Sequence, residues 1–473
     1  MESSLAKAGG NPPRVVIVGA GPAGVRCAET LLAAGLTPVV IDENRRDGGQ
    51  IYRRQPEGFQ RPYATLYGSE AGKAESLHRT FDGLRGRLDY RPDTLAWHLH
   101  ERTLYTVQGN RQRQRTLDFD ALVLCTGAGD RLLPVPGWNL AGTYTLGGAQ
   151  IALKAQAVSI GRRVIFLGSG PLLYLVAAQY QQAGATVAAV LDTAPLRLRA
   201  QATPKLLARP GVAWKGVQLM ASLKRAGVPL HFGVTPLEIL GDAEQGVRGV
   251  AFADARGLRQ EVAGDAVGLG YHLRPETQLG DLARCAFEFE RATGQWVLQL
   301  DADGRTSTPG VYAAGDGARV RGADGAELAG QLAACAVLSD LGRTPPAGLA
   351  ERCREAIAVQ ERFRLGLAEA FPWPARQMAS LPDTAVVCRC EGITAGELRA
   401  VVREKGAQEA NRAKAFSRVG MGRCQGRYCA QAGAEIIAAE SGVPVEAVGR
   451  LRGQAPVRPL PLGIVTSEEE LSS

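Results

Sequence analysis

From Arg14 the chain runs through four consecutive apolar residues, Val15–Val18, then Gly19-Ala20-Gly21-Pro22-Ala23-Gly24, then a helical stretch to about Ala34 closed by Gly35. The apolar run fits a parallel strand buried on both faces, and the closing glycine fits a helix C-cap. Pro38–Ile41 predicts a second strand ending at Asp42-Glu43. Residues 69–84 read as a helix, and Leu95–His100, Thr103–Gln108 and Thr116–Asp118 as a small antiparallel sheet feeding the apolar strand Ala121–Cys125. The first pattern returns at Arg163: Val164–Leu167, Gly168-Ser169-Gly170-Pro171, a helix, and a strand Thr186–Leu191 ending at Asp192. A third apolar strand, Val311–Ala314, runs into Gly315-Asp316, with a helix predicted from about Glu327. Beyond Pro345-Pro346 a polar helix, Leu349–Ala370, and the loop Phe371-Pro372-Trp373-Pro374 lead to a cysteine-bearing module.

Two strand–turn–helix–strand units form a loose internal repeat, so the predicted class is α/β, with two dinucleotide-binding (Rossmann-like) domains and a small helical C-terminal domain. The expected boundaries are 14–150 and 263–345 for the two parts of the first domain, 151–262 for the second, 346–383 for a helical linker, 384–441 for the cysteine module and 442–473 for an extended tail. Met1–Pro13 reads as a disordered lead-in, and the Pro-rich stretch from Arg452 as extended and partly mobile.

Composition narrows the function. A chain of 473 residues is too long for one core, and 45% apolar with 22% charged residues is ordinary for a soluble protein. With 58 Gly and only 6% aromatics, tight turns around phosphates fit better than an aromatic-lined sugar or nucleic-acid surface. The net charge of +8 is concentrated: between Cys388 and Cys429 stand nine Lys/Arg and four Glu. No basic run suggests nucleic acid as a partner. The most apolar stretch, Val164–Ala178, is broken by Gly168-Ser169-Gly170-Pro171 and is too short for a transmembrane span. Nine cysteines are too sparse for a secreted disulfide scaffold, so the cytoplasm is the expected location, with the inner membrane reached only through a complex.

Gly19-Ala20-Gly21-Pro22-Ala23-Gly24 follows a strand and opens a helix, the context that gives G-x-G-x-x-G meaning. Gly19 allows the turn, Gly21 lets a pyrophosphate approach the backbone, and Gly24 allows close helix–strand packing. Asp42, 23 residues after Gly19, is placed for the ribose hydroxyls, with Glu43 as the neighbouring alternative. Asp47-Gly48-Gly49-Gln50, Cys125-Thr126-Gly127-Ala128 and Tyr312-Ala313-Ala314-Gly315-Asp316 follow in order, and together they resemble the flavoproteins of glutathione-reductase type. That resemblance implies FAD, with Asp316 at its ribityl–pyrophosphate linkage. No C-x-x-C or C-x4-C pair lies near the Gly48-Gly49 turn or in 162–263, so disulfide chemistry is not expected. The second loop keeps Gly168 and Gly170 but has Leu173 in third place, which should narrow its pyrophosphate cleft. With Asp192 as ribose acid, an adenine nucleotide in some form remains open there.

Val387-Cys388-Arg389-Cys390-Glu391-Gly392 supplies a C-x-C pair and Cys424-Gln425-Gly426-Arg427-Tyr428-Cys429 a C-x4-C pair, with 33 residues between. Four thiolates on Gly-rich turns suit iron–sulfur or zinc ligation, and neither pair has the C-x2-C spacing usual in zinc knuckles. Gly392, Gly420, Gly422 and Gly426 are placed to turn backbone N–H groups toward sulfur, and Arg389, Arg418, Arg423 and Arg427 to offset the negative charge of a [2Fe–2S] cluster. Residues 384–441 look like the bacterioferritin-associated-ferredoxin type of [2Fe–2S] domain.

Taken whole, from about Arg14 to Leu462, the chain resembles the alpha subunits of heteromeric FAD-dependent amine dehydrogenases: opine oxidases, proline and D-hydroxyproline dehydrogenases, and hydrogen cyanide synthase. Gly48-Gly49-Gln50-Ile51-Tyr52-Arg53, Gly168-Ser169-Gly170-Pro171-Leu172-Leu173 and Gly420-Met421-Gly422-Arg423-Cys424-Gln425-Gly426-Arg427 carry the resemblance. It implies a partner flavoprotein of D-amino-acid-oxidase type that oxidises the amine, with room for an interface FMN and for a small third subunit. It also implies an outside acceptor such as a quinone or carrier. No catalytic acid–base or nucleophilic set stands out among the five His, although His272 and Arg274 could approach a flavin, and His98 and His100 share a sheet face. The alternatives are a self-contained NAD(P)H-dependent ferredoxin or metal-centre reductase, and a zinc-bearing scaffold with a vestigial flavin fold.

Overall fold

The computed structural model describes residues 12–109 and 113–461, so most of the expected lead-in and the end of the tail lie outside the described residues. Val15–Val18 is buried at every position, as a two-faced parallel strand requires, and pairs in parallel with Val39–Ile41 and Ala121–Leu124. Asp89–Arg91 and Val311–Ala313 complete a five-stranded parallel sheet in the order Val311–Ala313, Ala121–Leu124, Val15–Val18, Val39–Ile41, Asp89–Arg91. The helix Pro22–Ala33, with Pro at its first position, covers one face and packs against Gly322–Asp340. That second helix starts five residues before the expected Glu327, because Asp316 accepts the backbone N–H groups of Arg321 and Gly322 and sets its start.

The repeat builds a second five-stranded parallel sheet: Leu230–Phe232, Thr186–Asp192, Arg163–Ser169, Ala266–Tyr271, Thr143–Thr145. Its edge strand Thr143–Thr145 and its inner strand Ala266–Tyr271 come from outside the expected 151–262 interval. Neither carries a glycine fingerprint that would have assigned it. Two helices, Leu196–Leu206 and Pro210–Arg225, follow Asp192.

The helix Leu349–Ala370 lies where the sequence pattern sets it and packs on Leu196–Leu206 and Gly322–Asp340. Beyond it the cysteine module is no separate bead. One apolar core runs from Leu132, Trp138, Ile165 and Leu191 of the second domain through Met378 and Leu381 to Leu398, Ile436 and Ile437 of the module. Trp138 Nε1 donates to Val386 O at 2.6 Å across that junction. The tail, expected to be extended from residue 442, opens with a short helix, Val445–Val448, and its described part beyond is fastened: Val457 is buried and its N–H donates to Trp97 O, Gly453 N–H donates to Asp281, and Arg458 pairs with Glu43. No helix among the described residues is long and apolar enough to cross a membrane.

Candidate functional site

The first glycine loop has the shape of a phosphate cradle. A Cβ on Gly24 would lie 1.9 Å from Gly19 O, so only glycine lets the helix sit this close to the strand. A Cβ on Gly21 would meet only the Gly49 backbone, with Gly49 Cα at 3.5 Å, so no side chain borders that face. Ala20, Pro22 and Ala23 complete the turn, and the Ala20 N–H donates to Asp42 Oδ2 at 2.7 Å. Asp42 is buried at the end of its strand, and burial raises its pKa against the hydrogen bonds from Ala20 and Asn44. Glu43 is exposed and faces Arg458, so Asp42 is the inward carboxylate of the two. Gly49 and Gln50 stand opposite Gly21, with Arg53 Nη2 on Gln50 Oε1 at 3.2 Å.

Thr126-Gly127 and Gly315-Asp316 close the same end of the sheet. A Cβ on Gly317 would lie 2.6 Å from Thr126 Oγ1, which places the two turns in contact. Asp316 is enclosed, and burial raises its pKa against the helix N–H groups it accepts. Behind Gly49-Gln50 a buried cation escaped the sequence reading: Lys154 Nζ donates to Ile51 O at 3.1 Å, and burial lowers its pKa to about 8. A glycine turn bordered by backbone alone, an inward Asp42 and a helix N-terminus set by Asp316 fit an FAD.

The second loop is built differently. A Cβ on Gly170 would lie 3.3 Å from the His272 ring, so an imidazole borders this face where backbone alone borders Gly21. His272, at φ +63°, stands against this loop, and its Nε2 donates to Phe371 O at 2.6 Å. Burial lowers its pKa to about 4, so the ring is neutral. Phe371, from the linker, packs under the Arg199 guanidinium at 4.8 Å. Asp192 is fully buried and takes bonds from Tyr174 OH and Arg199 Nη2, both at 2.5 Å, and from Ala194 N–H. Leu173 lies wholly within the core beside Phe166, Val176 and Tyr180. Gly168 keeps its turn against Gly270.

In the cysteine module all four sulfurs are neighbours. Cys390 contacts Cys424, Cys424 contacts Cys429, and Cys429 contacts Cys388. Bonding from Cys429 pulls Cys388 down to about 6 and Cys424 to about 5, helped by the N–H groups of Gly420 and Glu391 for the first and of Tyr428 and Gly426 for the second. Gly420 and Gly426 thus turn inward as expected. Gly422 acts by close approach instead, since its Cβ would lie 2.2 Å from Cys390 Cβ. Among the described residues no three His, Cys, Asp or Glu side chains close around a single-ion position. Four neighbouring thiols can hold either a [2Fe–2S] cluster, two thiolates to each iron, or one tetrahedral ion.

Of the four arginines expected around the cluster, Arg427 turns inward: its Nε bonds Glu276 Oε2 at 2.6 Å and its Nη1 bonds Cys424 O at 3.2 Å. Glu276 O accepts Thr126 Oγ1–H at 2.6 Å. Arg274 Nε donates to Arg427 O and Gln278 Nε2 to Gln425 O, each at 2.7 Å. Sequence reading missed Glu276 and Gln278, which follow a segment flagged only for His272 and Arg274. A shallow cleft of about 600 Å³ opens where the Phe289–Gly294 hairpin meets Trp373 and Glu435.

Comparison with known proteins agrees with this geometry. The family model for pyridine nucleotide-disulphide oxidoreductases matches residues 13–337. The one for the BFD-like [2Fe-2S] binding domain matches 386–439. The chain is 38% identical to a subunit of the opine oxidase of Rhizobium meliloti, over 95% of this chain and 86% of that one. It is 32% identical to the HcnB subunit of hydrogen cyanide synthase from Pseudomonas aeruginosa, over 95% and 97%. The crystal structure of L-proline dehydrogenase from P. horikoshii shares the fold, with a TM-score of 0.68 at 19% identity over 96% of this chain and 79% of that one.

Proposed function

Given that this chain belongs to the pyridine nucleotide-disulphide oxidoreductase family, as a flavin and [2Fe–2S] oxidoreductase subunit, we propose that it is the electron-transfer subunit of a heteromeric dehydrogenase acting on a secondary amine or amino acid. Substrates of proline or hydroxyproline, opine or glycine type fit that reading. The amine is oxidised on a partner flavoprotein of D-amino-acid-oxidase type, and this chain relays the electrons to a quinone or carrier.

The observation that carries the reading is the second loop. His272 against Gly170 and Leu173 in place of a third glycine both count against hydride delivery by a nicotinamide dinucleotide at this loop. In this reading electrons reach the chain from its partner subunit. A bound FAD accepts them in pairs and a [2Fe–2S] cluster passes them singly. The 19–24 loop and its helix would hold the pyrophosphate, Asp42 the adenosine ribose, and Asp316 the ribityl end. Cys388, Cys390, Cys424 and Cys429 would hold the cluster, while Glu276 and Arg427 fix the cysteine loop to the flavin turn.

The test is gentle purification of the tagged chain from its own host. A second flavoprotein of amino-acid-oxidase type should come down stoichiometrically, and a secondary amine should reduce the complex. A chain that purifies alone and is bleached at once by NADH would overturn the reading in favour of a self-contained reductase.

A further inference from the structure

Of the four cysteines only Cys390 is exposed; Cys388 and Cys429 are buried and Cys424 is intermediate. The cluster site is therefore open to solvent on one side. Three exposed arginines surround that opening. Arg389 precedes Cys390, Arg418 Nε pairs with Glu391 Oε2 at 2.9 Å, and Gly422, packed against Cys390, brings Arg423 to the rim. The rim segments 388–392 and 418–423 hold these three arginines against one acid, Glu391.

A structural role does not account for them all. Arg427 is committed to Glu276, but Arg423 makes no hydrogen bond or ion pair among the described residues. Arg389 extends over the Trp138 ring at 5.3 Å and shares a recess with Tyr144, which is 43% exposed. Exposed arginines beside an exposed aromatic are the usual composition of a recognition surface. Such a rim attracts negative charge, speeds encounter and repels basic partners.

We propose that the Cys390 edge is the electron exit and that Arg389, Arg418 and Arg423 dock an acidic one-electron carrier protein there. One electron leaves the reduced centre and reduces the oxidised centre of the carrier. No bond is made or broken and no proton moves, so two encounters clear the pair supplied by one substrate oxidation. The proposal rests on the reading that this chain passes electrons outward through a [2Fe–2S] cluster.

Two haem proteins of opposite charge provide the test on the full-length holoprotein: acidic cytochrome b5 and basic cytochrome c. After reduction with dithionite, the rate of electron transfer to cytochrome b5 should fall roughly ten-fold between low and 0.3 M salt, and the rate to cytochrome c should not. The double variant Arg389→Glu/Arg423→Glu should lose roughly ten-fold with cytochrome b5 and gain with cytochrome c. Arg389→Lys/Arg423→Lys should keep most of the wild-type rate. Calorimetric titration of the oxidised protein, in which no electron can move, should show cytochrome b5 binding that the Glu variant abolishes. A cytochrome b5 rate or affinity indifferent to salt and to charge reversal overturns the docking surface. So does a native complex in which reversal changes nothing because another subunit covers the rim. Absence of any cluster signal in the wild-type protein would instead sink the underlying reading.

Discussion

Arg427 and Glu276 meet at 2.6 Å between the two cofactor modules, with side chains only 11% and 13% exposed. Arg427 also holds Cys424 O, and Glu276 O holds Thr126, so one ion pair links the cysteine loop to the flavin turn. Removing one partner of a buried pair leaves the other charge uncompensated, at a cost of about 3–5 kcal/mol.

Glu276→Gln should therefore lower the urea midpoint and change the cluster's EPR signal without removing the cluster. Burial opposes the charge of Glu276, but Arg427 and Arg274 outweigh it and hold the carboxyl below its ordinary value. A depressed folded pKa contributes stability above the unfolded pKa of about 4.3 and loses it as pH falls through the lower folded value. The gap between wild type and Glu276→Gln should thus be constant from pH 7 to 5.5 and close below about pH 4. A gap unchanged at pH 3.5 would show that the pair is not the cause.

Two glycines of one loop should behave oppositely. Gly24→Ala places a Cβ 1.9 Å from Gly19 O, so it should unfold the first domain or lower Tm by many degrees. Gly21→Ala meets only Gly49 Cα at 3.5 Å, so the fold should tolerate it. Its methyl group enters the face reserved for pyrophosphate, however, and the ratio of FAD to protein should drop. Equal FAD content in Gly21→Ala and wild type would remove this loop from the flavin site.

The cysteine module should bind two irons per chain, with the absorption and reduced EPR signal of a [2Fe–2S] centre. Cys388→Ser, at the buried end of the sulfur row, should abolish both signals while FAD remains. One zinc per chain and no iron would return the site to the tetrahedral alternative.

Much of this was legible because glycine spacing and apolar runs report local geometry. Val15–Val18, Gly19–Gly24 and the cysteine pairs needed only neighbours a few residues away. Contacts between distant segments left no such mark. Thr143–Thr145 joins the second sheet by pairing with Val267–Leu269, and Glu276 meets Arg427 from 151 positions away. Phe371 read as a loop residue, and only the fold carries it onto Arg199 and His272. Leu173 was informative because a branched side chain breaks a known packing rule, but the ring beside Gly170 came from a segment flagged for a different cofactor.

The second loop gives the last prediction. His272, pushed down to about 4, stays neutral from pH 5 to 8, so the block is steric and indifferent to pH in that range. NADH should leave the wild-type flavin oxidised at every pH between those limits. Leu173 lies in the core, where its removal would leave a cavity rather than open the cleft, so the variant keeps it. His272→Gly removes the ring, and dinucleotide affinity should rise by about ten-fold, equivalent to about 1.4 kcal/mol. Titration calorimetry on the thermally checked variant measures this directly. If wild type already binds NADH as tightly as the variant, His272 is not a block, and the electrons of this chain have a nicotinamide source.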